Sequence, residues 1–145
     1  MAPSAHSWKG QASVELLLVL FILIPLLLGG IELARGVGIR HSLDTGVGVA
    51  TRALSLDPGQ WTWATNVISQ SVQDNILGGG SVGVLMVQAY SADGTEISSS
   101  DLANLPFGSA FQLAASCGYT PWIPLVGGQA VTIRVSHWGI VERYP

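Results

Sequence analysis

The stretch LLLVLFILIPLLLGGI, residues 16–31, decides the fold. It carries no charge. The chain enters it through Gly10-Gln11-Ala12-Ser13-Val14-Glu15 and leaves it through Glu32-Leu33-Ala34-Arg35. Leu, Ile and Val fall on every face of a helical projection, so no single stripe is set aside for a protein core. With Leu33 and Ala34 counted, and an acid near each end, about 20 residues can cross roughly 30 Å of hydrocarbon as a helix. A cleaved secretory signal needs small residues in an A-x-A-like arrangement after its apolar core. Here the core is followed by Gly29-Gly30-Ile31-Glu32-Leu33-Ala34-Arg35-Gly36, with an acid and bulky aliphatics in the way. The segment reads as a retained single span.

The rest of the chain shares its shortage of charge. Of 145 residues, 48% are apolar and 10% charged, and the mean hydropathy is +0.45. An ordinary soluble domain is roughly 25% charged, which argues against a free cytoplasmic domain with a surface of mixed charge. Disorder goes with low hydrophobicity and high net charge, so it is excluded too. A net charge of −3 with only 6 Lys and Arg leaves no electrostatic case for nucleic acid. The single cysteine, Cys117, excludes a disulfide framework within one chain and a multi-thiolate metal site.

Glu15 is the informative exception, an acid at the mouth of an apolar helix. Ionisable groups beside a membrane core are costly and are kept mainly where they have a partner. Gly10-Gln11-Ala12-Ser13-Val14-Glu15, running straight into the apolar stretch, resembles a prepilin processing site: Gly, four residues, Glu, then hydrophobics. The longer string QASVELLLVLFILIPLLLGGIELARG resembles the N-terminus of TadE-like pseudopilins of the tight-adherence (Tad, Flp-type) type IV pilus system. The tail GYTPWIPLVGGQAVTIRVSHWGIVERYP is similar in layout to the closing strands of that family.

The resemblance implies a minor pilin. A membrane-embedded prepilin peptidase would cut after Gly10 and make Gln11 the mature N-terminus. Glu15 would pair with the new α-amino group of a neighbouring subunit, offsetting the desolvation of both charges and rejecting wrong registers. The alternative for Glu15 is a carboxylate that snorkels to the headgroups. Pro25, Gly29 and Gly30 would let the helix bend on extraction into a filament, although membrane helices also tolerate such residues without that use. Glu32 and Arg35 are spaced to pair at the helix flank. Implied partners are the peptidase, other pilins or pseudopilins and the membrane, with no cofactor. Implied location is the inner (cytoplasmic) membrane, with an extracytoplasmic C-terminal domain, then the surface pilus. The other readings are a single-span anchor for an extracytoplasmic binding domain that does not assemble, and a major filament subunit. Length favours a minor subunit over the small major pilins. Flanking charge runs the other way from the implied orientation: Lys9 precedes the span, whereas Arg35, Arg40 and Arg52 follow it.

Beyond the span, Ile39, Leu43, Val47, Ala50 and Leu54 recur at helical spacing, so one stripe can pack on a following domain. A helix from about residue 12 to 56 would be roughly 65 Å long. Gly36, Gly38, Gly46 and Gly48 predict either close packing against a neighbour or a weak break near residues 46–48. Asp57 is expected to cap a second helix with Pro58 at its first position. Trp61, Ala64 or Thr65, Ile68, Val72 and Ile76 make its apolar face, and Gly78-Gly79-Gly80 stops it. Trp61 and Trp63 suit either a membrane interface or a core, with the core favoured for Trp61.

The remainder predicts strands. Residues 81–91 are apolar on both faces. Phe111, Leu113, Ala115, Cys117 and Tyr119 alternate with smaller or polar residues, as do Val131, Ile133 and Val135. Asp93-Gly94 marks a hairpin turn. Residues 102–133 carry no charge, but Pro106, Pro121 and Pro124 exclude a second span. Such a neutral surface suits subunit packing, and equally a charge-poor secreted domain. The fold class is therefore α+β: a leader at residues 1–10, a transmembrane and assembly helix at 11–56, and an α+β domain with a small antiparallel sheet at 57–145. No catalytic constellation appears. His6, His41 and His137 are scattered, and the glycine run lacks the Lys and Ser/Thr of a phosphate loop. Cys117, on the apolar side of its strand, reads as a buried inert thiol. Enzyme activity is not expected.

Overall fold

The structure, a computed structural model, describes residues 7–75, 82–121 and 130–142. Helix α1 (Ser7–Leu56) is followed by α2 (Trp61–Gln73), β1 (Val82–Ser91), β2 (Glu96–Ile97), α3 (Ser99–Ala103), β3 (Ala110–Tyr119) and β4 (Val131–Ile140). The chain is α+β. At 50 residues α1 is about 75 Å long, far more than a bilayer needs.

The two halves of α1 have opposite surroundings. Every large apolar side chain between residues 14 and 31 is exposed, whereas Ile39, Leu43, Val47, Ala50 and Leu54 are completely buried. That stripe meets α2 through Ala64, Ile68 and Val72, and the sheet through Phe111, Leu113, Ala115, Cys117 and Tyr119. Burying each aliphatic side chain of this kind is worth about 1.5–3 kcal/mol, so the distal half of α1 is the core of the domain.

No break forms at residues 46–48. A Cβ on Gly46 would sit 3.0 Å from Cβ of Ser71 and 3.1 Å from Cα of Ile68. The missing side chain is what lets α2 close on α1, and the packing offsets the poor helix propensity of glycine.

Asp57 does not cap α2. Its carboxylate accepts from the Gly59 amide at 3.2 Å and from the Gln60 side chain at 3.1 Å, closing a turn around Pro58. This local bond competes with helix initiation. The helix starts only at Trp61, with Gln60 as an N-cap whose side chain makes no capping bond to the helix. The turn sends α2 back antiparallel along α1, with Asn75 donating to Ser42 at 2.8 Å. Trp61, partly buried against the core, and Trp63, exposed, thus lie about 35 Å up α1 from residue 31. Neither is an interfacial anchor of the span. Ile76 and Gly78-Gly79-Gly80 lie outside the described residues.

The sheet is antiparallel, in the order β2-β1-β3-β4. In β3 the expected alternation holds, with Ala114 buried as well. The Asp93-Gly94 turn is present: Gly94 has a φ of 86°, which glycine reaches without steric cost. In β1 one face packs on the core through Leu85, Val87 and Ala89, while Met86 on the other face is exposed. The strand is therefore not covered on both sides. The short α3 carries no periodicity long enough to read; Ser98 caps it by accepting from the Asp101 amide at 3.2 Å, and Leu102 anchors it in the core. Residues 122–129, which include Pro124, lie outside the described residues.

Candidate functional site

The site residues singled out in sequence all lie on α1, between Gly10 and Arg35. Gly10 and Gln11 are exposed in its first turns, and space around Gly10 is open, with nothing within 4 Å of the point a Cβ would occupy. One turn later the Gln11 amide donates to a Glu15 carboxylate oxygen at 3.2 Å. Both side chains are exposed, so Glu15 stands at the start of the apolar surface with a neutral partner. Helix α1 runs unbroken through Pro25, Gly29 and Gly30.

Where the apolar stretch ends, α1 is tied to the sheet. Arg35 Nη1 contacts Glu32 Oε1 at 2.9 Å, the pair their spacing predicts. The second Glu32 oxygen accepts from the Tyr119 hydroxyl at the end of β3. The Arg35 guanidinium lies 5.5 Å from the centre of the Tyr119 ring and is only 3% exposed. Burial pushes the Tyr119 hydroxyl above its ordinary pKa, and the Glu32 bond pushes the same way, while the positive charge of Arg35 opposes them. The three groups form one closed unit between the helix and the strand.

Two further ties stand higher on the arm. His137 of β4 meets Asp44 at 2.9 Å, and Arg52 pairs with Glu142 at 2.8 Å. The Glu142 amide also donates to the Ser55 carbonyl at 2.7 Å. Sequence reading found only the Glu32–Arg35 pair, because three residues on one helix are a local signal. Tyr119, Asp44 with His137, and Arg52 with Glu142 are separated by most of the chain, and nothing local marks them as partners.

Beside the lowest tie is an open groove of about 440 Å³. Leu33, Gly36 and Val37 of α1 line one wall and Val131 and Ile133 of β4 the other, with Arg40 at the rim. Among the described residues no group of three or more His, Cys, Asp or Glu is placed to hold a metal ion. Cys117 is buried and free, and burial raises its thiol pKa, the reverse of what a nucleophile needs.

The geometry is that of a long apolar arm fixed to a small domain. Among helices of the described residues, α1 is the one long and apolar enough to cross a membrane. No curated protein and no solved structure matches the chain. The family model described as TadE-like protein matches residues 10–52, from Gly10 to the arginine that pairs with Glu142, so this stretch of the chain is similar to that family.

Proposed function

We propose that this chain is a minor structural subunit of a Tad-type pilus, cut after Gly10 and assembled through α1. The observation that carries the reading is the coincidence of the family match with the exposed half of α1: the matched residues 10–52 begin at Gly10, and Glu15 opens the apolar surface. An unpaired carboxylate beside a membrane core is costly. A neighbour's α-amino group, freed by the cut before Gln11, would remove that cost in one axial register only. Pro25, Gly29 and Gly30 would supply the bend when the span leaves the bilayer, since proline deletes a backbone hydrogen bond there. The domain would stay outside the cytoplasm and travel with the arm, because the ties at Glu32, Asp44 and Arg52 hold helix and sheet together.

Glu15→Ala in the native host tests it. The variant should remain in the membrane fraction and drop out of sheared surface filaments. Wild-type levels in the filaments would reject assembly through Glu15 and leave a single-span anchor with an outer domain.

A further inference from the structure

We infer that the groove between α1 and β4 holds an acyl chain of a bilayer phospholipid, with the lipid phosphate on Arg40. This rests on residues 16–31 spanning the bilayer. Two observations select the occupant. The first is continuity: Leu33 and Val37 carry the exposed apolar surface of residues 14–31 upward without a gap, and Val131 and Ile133 of β4 face them across the groove. An exposed apolar wall at this height meets lipid before it meets water. The second is charge. Arg40 has no ion-pair partner among the described residues, whereas Arg35 and Arg52 both have one.

The dimensions agree. The volume of about 440 Å³ falls in the range of small-molecule sites, roughly 300–1,000 Å³. Arg40 is six residues, about 9 Å, beyond the residue-34 end of the span. Side chains on a helix lean toward its N-terminus, so Arg40 leans back toward the headgroups. Glu32, the acid in the lining, does not repel the phosphate strongly, because Arg35 and the Tyr119 hydroxyl already hold its two oxygens. A groove filled this way would hold β4 against α1 while the subunit waits in the membrane, and would have to empty or carry its lipid along when the subunit leaves.

The test is photolabelling of the full chain in nanodiscs of phosphatidylglycerol carrying a diazirine near the end of one acyl chain. Label should appear on residues 16–31, as for any span, and also on Val131 and Ile133, which only a chain drawn up into the groove can reach. Val37→Trp, at an exposed position that fills the groove, should abolish the β4 label and spare the span label. Arg40→Gln should lower the β4 label about fivefold, matching the ~1 kcal/mol a basic residue gains beside anionic lipid. A labelled span with an unlabelled β4, or β4 labelling indifferent to Val37→Trp, would overturn the lipid site and leave the span intact. Crosslinks from β4 to α1 of a second copy would overturn it in favour of a protein occupant. An unlabelled span would remove the membrane reading itself, and the lipid site with it.

Discussion

The Tyr119 hydroxyl donates to the Glu32 carboxylate across 87 positions of sequence, at the level where α1 leaves its apolar stretch. With Arg35 on the other Glu32 oxygen, the contact fixes the lower end of the sheet to the arm. Tyr119→Phe removes one hydrogen bond and should cost about 1 kcal/mol. Glu32→Gln strips the charge facing a buried guanidinium and should cost about 3 kcal/mol. Thermal unfolding of the full chain in detergent micelles, followed by near-UV circular dichroism, reads both; equal losses would deny the ion pair its larger share. Because the folded pKa of Tyr119 is raised, its contribution is complete below the ordinary value of 10 and is lost as pH rises through the folded one. Stability should therefore fall in alkali, and less steeply in Tyr119→Phe.

Gly139 is required for a different reason. A Cβ there would lie 2.6 Å from Phe111 Cζ and 2.9 Å from Ser55 Oγ, at the crossing of β4, β3 and α1. Gly139→Ala should lose about 1–3 kcal/mol by overpacking. Phe111→Leu in the same chain should recover part of that loss, and a double variant no better than Gly139→Ala would contradict the stated clash.

Cys117 is 1% exposed and its thiol pKa is raised. An aromatic disulfide reagent at neutral pH should label it only after denaturant is added. Rapid labelling of the native chain would mean that β3 does not pack on α1 as described.

In the hairpin turn the Ser91 hydroxyl and then the Thr95 amide lower the Asp93 pKa from 3.8 to about 2. Its contribution is therefore present above 3.8 and is lost as pH falls through about 2. NMR titration of the side-chain carboxyl should find a midpoint near the lower value in the folded chain, and Ser91→Ala should move it upward. An unchanged midpoint in that variant would assign the shift elsewhere.

What sequence could reveal here followed the range of each signal. The apolar helix, the stripe from Ile39 to Leu54, the alternation of β3 and the Asp93-Gly94 turn are local patterns, and the structure has each of them in place. Asp57 misled because an aspartate before proline can close a turn as readily as it can cap a helix. Trp61 packs on the core, the use favoured for it, whereas Trp63 is no interfacial anchor because proximity in sequence to the apolar stretch is not proximity in space once α2 folds back. Of the candidate site, Glu32 with Arg35 was legible from spacing. Tyr119, the groove and the role of Gly46 depend on elements meeting from distant parts of the chain, and no window of sequence holds them.

Processing of the arm as a pilin arm is read most directly at the N-terminus of the subunit in its native host. N-terminal sequencing and intact mass should give Gln11 as the first residue in cells that carry the prepilin peptidase, and Met1 in cells that lack it. Met1 at the start of the chain in both would contradict cleavage after Gly10.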